Sequence, residues 1–154
     1  MFNVILASHG GFAKGLLEAS EFIAGKQDNI AAFGLYLGDD IEEFSFRLRE
    51  FIEEADDEEG VLVLTDLQSG SPFNAVVGSM ISPTIRHFTG MNMPMLLTVL
   101  CERSYMSLDE VCENLLLESK SAMADVNKLL DEMLIEEEEE WRWNSFLWLE
   151  LMTV

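Results

Sequence analysis

Phe2-Asn3-Val4-Ile5-Leu6-Ala7-Ser8-His9-Gly10-Gly11 is the stretch on which the reading of the chain turns. Phe2, Val4, Ile5, Leu6 and Ala7 make an almost unbroken apolar run, the pattern of a strand buried on both faces. The run breaks at Ser8-His9-Gly10-Gly11, and a helical spacing follows in Phe12, Leu16, Ala19 (or Ser20) and Ile23. A histidine at the carboxyl end of a first parallel strand stands where open α/β sheets bind ligands. The glycines beside it let backbone approach whatever the imidazole touches.

A second stretch has the same form. Val61-Leu62-Val63-Leu64 leads into Thr65-Asp66-Leu67-Gln68-Ser69-Gly70-Ser71-Pro72, and another helical segment follows. The two strand ends are expected to meet over one site. Outward from these stretches, the spacing predicts strands over Phe2–Ser8, Ile30–Leu37, Val61–Leu64 and Thr84–Thr89. Helices are predicted from Gly11 or Phe12 to Ala24, with Gly25 as a terminating glycine, and from Ile41 to Ala55 behind Asp39-Asp40. The apolar face of the second would carry Ile41, Phe44, Leu48, Phe51 and Ile52. A third helix opens with Ser71 as N-cap and Pro72 at its first position and runs to Met80 or Ile81. Met91-Asn92-Met93-Pro94 reads as a loop before a helix over Met95–Glu102. A capping box at Ser107 and Glu110 starts a long helix, Leu108–Leu134. The alternation predicts an α/β fold: a single domain with a mostly parallel sheet and helices on both faces.

The chain has 154 residues, a length suited to one domain with a sizeable core. Nine basic residues face 29 acidic ones, a formal net charge of −20, which disfavours nucleic acid and anionic membrane surfaces as partners. Cys101 and Cys112 form no Cys-x-x-Cys pair and no disulfide framework. The first residues lack the features of a signal segment, and no stretch is long enough for a membrane span, so a cytoplasmic location is expected. Composition changes at Glu136, where five glutamates precede a segment holding all three tryptophans, Trp141, Trp143 and Trp148. A domain is therefore expected over residues 1–135 and a separate acidic, tryptophan-rich tail over 136–154.

His9 is the leading candidate for chemistry. Imidazole titrates near neutrality and serves as a base, a metal ligand or a phosphoryl acceptor. Metal binding is the weaker choice, because no second histidine lies at i+2 or i+4 and both cysteines are far off in sequence. Asp66, if the two strands are neighbours, is placed to accept a hydrogen bond from one imidazole nitrogen and leave the other free as a nucleophile. Ser71 and the amides after Pro72 sit at a helix N-terminus, which favours an anion. Gly10-Gly11-Phe12-Ala13-Lys14-Gly15 fails as a P-loop because Leu16 stands where lysine is needed. Ser71 is not in Gly-x-Ser-x-Gly, so a hydrolase elbow has no support. His87, inside a presumed strand, reads as structural.

Three blocks together carry a resemblance. Val4 to Gly10, Leu64 to Asn74 and Thr89-Gly90-Met91-Asn92-Met93-Pro94-Met95-Leu96 resemble the signatures of the mannose-family IIA domain of the bacterial phosphoenolpyruvate-dependent sugar phosphotransferase system. The resemblance spans about residues 1 to 134. It implies an α/β sandwich and a homodimer in which an antiparallel edge strand is exchanged between subunits. It implies a phosphohistidine carrier, with His9 phosphorylated, Asp66 hydrogen-bonded to it, and Ser71, Gly10 and Gly70 near the phosphate. The phosphoryl group would come from HPr and pass to a IIB component, reaching the membrane IIC and IID components only indirectly, with no metal or nucleotide cofactor. Ser69 stands where the family usually has the first of two glycines, and the tail has no family counterpart. Two other readings stay open: a phosphocarrier subunit of a phosphotransferase-dependent dihydroxyacetone kinase, and a regulatory binding module of the same fold.

Overall fold

The computed structural model describes residues 1–80, 82–121 and 124–133. The elements run β1 (Asn3–His9), α1 (Phe12–Ala24), β2 (Ile30–Leu35), α2 (Ile41–Ala55), β3 (Val61–Thr65), α3 (Ser71–Val77), β4 (Ile85–Thr89), α4 (Met93–Glu102) and α5 (Leu108–Ser121). The four strands form one parallel sheet in the order β2-β1-β3-β4. Among the described residues the sheet has no antiparallel strand. Two compact units divide the chain, Met1–Lys120 and Ser121–Val154. The expected boundary near Ile135, the glutamate run and the tryptophan segment all lie outside the described residues.

Strand alternation builds two cores, one on each face of the sheet. Val4, Leu6, Leu62 and Leu64 pack with Ala13 and Leu16 of α1, with Leu96 and Val99 of α4, and with Val111 and Leu115 of α5. Ile5, Ala7, Val61, Val63 and Ile85 pack with Phe44, Leu48 and Ile52 of α2 and with Ala75 and Val76 of α3. β1 and β3 are buried on both faces, and their continuous apolar sequence follows from that. β2 is an edge strand, and each of its residues is half-buried.

The helix ends show how local chemistry sets boundaries. Asp40 accepts hydrogen bonds from the N–H groups of Glu42 and Glu43 and starts α2. Ser107 and Glu110 form the expected reciprocal capping box at α5. Gly25, with φ +81, ends α1. β2 stops two residues before the expected Leu37 because the Tyr36 N–H turns to the Asp39 carboxylate at 2.7 Å. The Met91–Pro94 loop is shorter than expected: Asn92 accepts from Met95 N–H and α4 begins at Met93, with Pro94 in its first turn. α3 ends at Val77, short of Met80, and Ile81 lies outside the described residues.

The long helix expected over Leu108–Leu134 is interrupted. α5 ends at Ser121, residues 124–125 are not helical, and a separate helical segment covers 126–133. Asp125 accepts from the N–H groups of Asn127 and Lys128, so its side chain caps a new helix and does not continue the old one. Two predicted apolar faces also shift. α1 buries Ala13, Leu16 and Ser20 and leaves Phe12 and Ile23 exposed, while α2 leaves Ile41 and Phe51 partly in solvent.

His87 lies within β4, where the sequence reading puts it. Its Nε2 is 2.9 Å from Thr65 Oγ1 and its ring stacks at a tilt on Phe73. Burial pushes its imidazole down to about 4 from the ordinary 6.5. The folded chain therefore refuses a proton that the unfolded chain accepts. His87 leaves stability whole above pH 6.5 and lowers it as pH falls from 6.5 towards about 4. Urea denaturation across that window is expected to show a smaller acid loss in His87→Gln than in wild type, and an equal loss would show that His87 is not the group responsible.

Candidate functional site

β1 and β3 are adjacent, while the chain leaves β1 on one side to form β2 and returns on the other to form β3. The crevice between β1 and β3 is therefore the topological switch point, and their carboxyl ends open into it. His9 is the last residue of β1 and Asp66 directly follows β3.

The two side chains meet. Asp66 Oδ2 lies 2.9 Å from His9 Nδ1 and also accepts the His9 backbone N–H at 2.9 Å. Asp66 Oδ1 accepts the Leu67 N–H at 2.9 Å. An ionised carboxylate only accepts, so Nδ1 carries a proton in this pair, and in the neutral ring Nε2 is the nitrogen that keeps a lone pair. Partial burial works against the Asp66 charge. The hydrogen bonds from the His9 N–H and ring, the His9 charge and the Leu67 N–H outweigh it and hold the carboxyl below its ordinary value of 3.8. Asp66 thus stays ionised through the neutral range, and its stabilising contribution is lost only as pH falls through that lowered value. The histidine side chain is 46% exposed and the aspartate 12%, a largely covered anchor beside an accessible imidazole.

The loop after Asp66 forms the wall beside the ring. A Cβ placed on Gly70 would stand 3.1 Å from His9 Cε1 and 3.5 Å from Nε2, so backbone closes on the imidazole edge. Gly70 has φ +123, which side chains with a Cβ rarely adopt. Ser69 is itself left-handed, with φ +68, a conformation costing a non-glycine residue on the order of 1 kcal/mol. The position that the resemblance assigns to glycine is thus one that needs a positive φ. Gly70, not Ser71, is the N-cap of α3; Ser71 is its first residue, half-buried, and no side chain caps this helix. Gly10 turns the chain away from His9 with φ +54.

Several contributors escape the sequence reading. Ser8, fully buried, accepts the Ala13 N–H on its Oγ at 2.8 Å and ties the start of α1 to the strand end. Phe12, Tyr36, Leu37 and Leu67 are exposed at the same end of the sheet as His9. Their only sequence signal is position after a strand. Among the described residues no group of three or more His, Cys, Asp or Glu side chains is placed to hold a metal ion. None of the described helices is long and apolar enough to cross a membrane.

Known proteins share this arrangement of sequence and fold. The family described as PTS system fructose IIA component matches residues 3–116. The fructose-specific EIIA component of Bacillus subtilis is 32% identical over 117 residues, covering 75% of this chain and 80% of its own. The sorbose-specific EIIA component of Klebsiella pneumoniae is 30% identical over 116 residues, covering 75% and 84%. Among solved structures, the phosphotransferase system component EIIA from Streptococcus agalactiae superposes with a TM-score of 0.75 at 26% identity, over 83% of this chain and 99% of that one.

The wall beside His9 is open to direct test. Gly70→Ala adds a methyl group against the ring and strains the loop. It is expected to move the His9 Nε2 resonance in ¹⁵N spectra and to slow any reaction at that nitrogen by about a hundredfold. An unchanged resonance in folded Gly70→Ala would show that the wall does not touch the imidazole.

Proposed function

The chain belongs to the family of PTS fructose IIA components, and from that premise we propose that it is a phosphohistidine carrier in sugar uptake. It accepts a phosphoryl group from HPr and passes it to a IIB component, working in the cytoplasm. The observation that carries this reading is the Asp66 carboxylate on His9 Nδ1, which leaves Nε2 as an accessible nucleophile beside a glycine wall.

In the forward step the Nε2 lone pair attacks phosphorus as the donor's phosphorus–nitrogen bond breaks. The donor imidazole leaves with that electron pair. Positive charge develops on the His9 ring and is met by the Asp66 carboxylate through the Nδ1 proton, which does not need to leave. Discharge to a IIB component reverses the same events. Reacting nitrogens are brought into line by docking, and most of the catalysis lies in that positioning. The exposed Phe12, Tyr36, Leu37 and Leu67 supply an apolar docking surface, and Asp39, Asp40, Glu42 and Glu43 favour a partner with basic side chains.

β4 is an outer strand of the described sheet, and a homodimer that exchanges an edge strand would cover it. Such a dimer is expected to dissociate only with unfolding, so a folded monomer in sedimentation at micromolar concentration would count against it.

The decisive experiment is incubation with phosphoenolpyruvate, enzyme I and HPr, followed by intact mass and a single-turnover time course. Wild type is expected to gain one acid-labile phosphoryl group, His9→Ala none, and His87→Gln most of it. Asp66→Asn should fold but transfer on the order of tenfold to a thousandfold more slowly, because an amide is a weaker acceptor than a carboxylate. Phosphorylation of His9→Ala at the wild-type rate would sink the reading.

A further inference from the structure

Gly34 lies inside β2, where a glycine weakens a strand and marks a close backbone approach. The approach is visible. A Cβ on Gly34 would stand 2.3 Å from the Gly10 carbonyl oxygen, a separation no real Cβ tolerates. The neighbouring bond is short and direct, with the Gly10 N–H donating to the Leu35 carbonyl at 2.7 Å. Tyr36 closes the other side: its ring carbons lie 2.9 and 3.2 Å from the same Cβ position, and its hydroxyl is 3.7 Å from a Cβ position on Gly11. The Gly10–Gly11 turn is thus seated on a bare stretch of edge strand, under an aromatic ring.

This seat faces the site from the side opposite to Asp66. β3 holds His9 through the carboxylate, which takes both its N–H and its Nδ1. β2 holds the His9–Gly10 peptide through the Leu35 carbonyl and leaves room at Gly34 for the carbonyl of the following Gly10–Gly11 peptide. We propose that Gly34 and Tyr36 are positioning residues for the reactive imidazole, acting as a clamp on the Gly10 peptide that sets the angle at which His9 presents Nε2. The proposal rests on the phosphocarrier reading for its kinetic consequence but not for its geometry.

Restoring an ordinary carbon–oxygen separation of about 3.3 Å around an alanine at position 34 requires a shift of roughly 1 Å. β2 is held on one edge only and the Gly10–Gly11 turn is partly exposed, so the turn yields more readily than the buried β1 ladder. Because Gly10 directly follows His9, the shift passes through the peptide that joins them to the His9 backbone and, through Asp66, to the ring. A displacement of about 1 Å at a reacting group is worth about a hundredfold in rate.

The test uses the full chain with Gly34→Ala, Tyr36→Ala and Tyr36→Phe, read by ¹⁵N spectra of the His9 ring and by single-turnover phosphorylation from phospho-HPr at varied donor concentration. Gly34→Ala is expected to shift the His9 ring resonances, reduce the Nδ1-protonated form, and lower the saturating transfer rate about a hundredfold, with half-saturation changed less than the rate. Tyr36→Ala is expected to follow in the same direction by several-fold, and Tyr36→Phe, which keeps the ring, to restore the wild-type His9 ring resonances. If Gly34→Ala fails to fold, the Tyr36 pair decides. Wild-type spectra and rate in folded Gly34→Ala, or in Tyr36→Ala, overturn the clamp; so does a change confined to half-saturation, which marks docking alone. If wild type itself takes no phosphoryl group at His9, the carrier reading fails while the ring spectra still decide the clamp.

Discussion

β1 depends on being hydrogen-bonded along both edges and packed on both faces. Its neighbours β2 and β3 each align in parallel, so every connection must cross the sheet with a helix. Its alternate side chains feed two separate cores. A strand so enclosed leaves only its carboxyl end free, and His9 is the residue that emerges there. Asp66 emerges one strand over, from the other strand buried on both faces. The rigidity of the sheet is what converts two residues 57 positions apart into a 2.9 Å contact.

The site that results is small and mostly backbone. One carboxylate oxygen fixes the histidine's main chain and its ring together, and glycine peptides supply the walls at Gly10, Gly34 and Gly70. Such a site excludes side chains where it needs close approach and tolerates backbone strain at Ser69. The open face at this end of the sheet is apolar at Phe12, Tyr36, Leu37 and Leu67, and the exposed Asp39, Asp40, Glu42 and Glu43 follow Leu37 in the chain. A surface of that kind suits brief contact with another protein better than enclosure of a small substrate.

His87 illustrates how the same sheet keeps a second histidine apart. It sits on the edge strand, but its ring is turned to Thr65 and Phe73, and burial keeps it neutral. Two imidazoles on neighbouring parts of one sheet thus differ in exposure and in hydrogen-bond partner. Sequence context foreshadows this difference, since one follows a strand beside glycines and the other lies within a strand.

Much of the fold was legible because it rests on local physics. Apolar runs marked β1 and β3, Asp40 and Ser107 marked helix starts through their own side chains, and Gly25 marked an end through its backbone freedom. The pairing of His9 with Asp66 was readable as an expectation once both stood at strand ends. What the sequence could not determine depends on which surfaces meet. Periodicity offered α1 an apolar face of Phe12, Leu16, Ala19 (or Ser20) and Ile23; Leu16 and Ser20 are buried as expected, but Ala13 joins them while Phe12 and Ile23 stay exposed. Nothing in the sequence around Gly34 announces its role, which appears only where the Gly10 carbonyl fills the space beside it. Arg103 is almost wholly buried because the turn at Gln27 to Asn29, far away in sequence, supplies acceptors for its guanidinium. Local sequence sets what each segment can become; tertiary contact decides which face is buried, because burial is a property of two surfaces and a single segment carries only one.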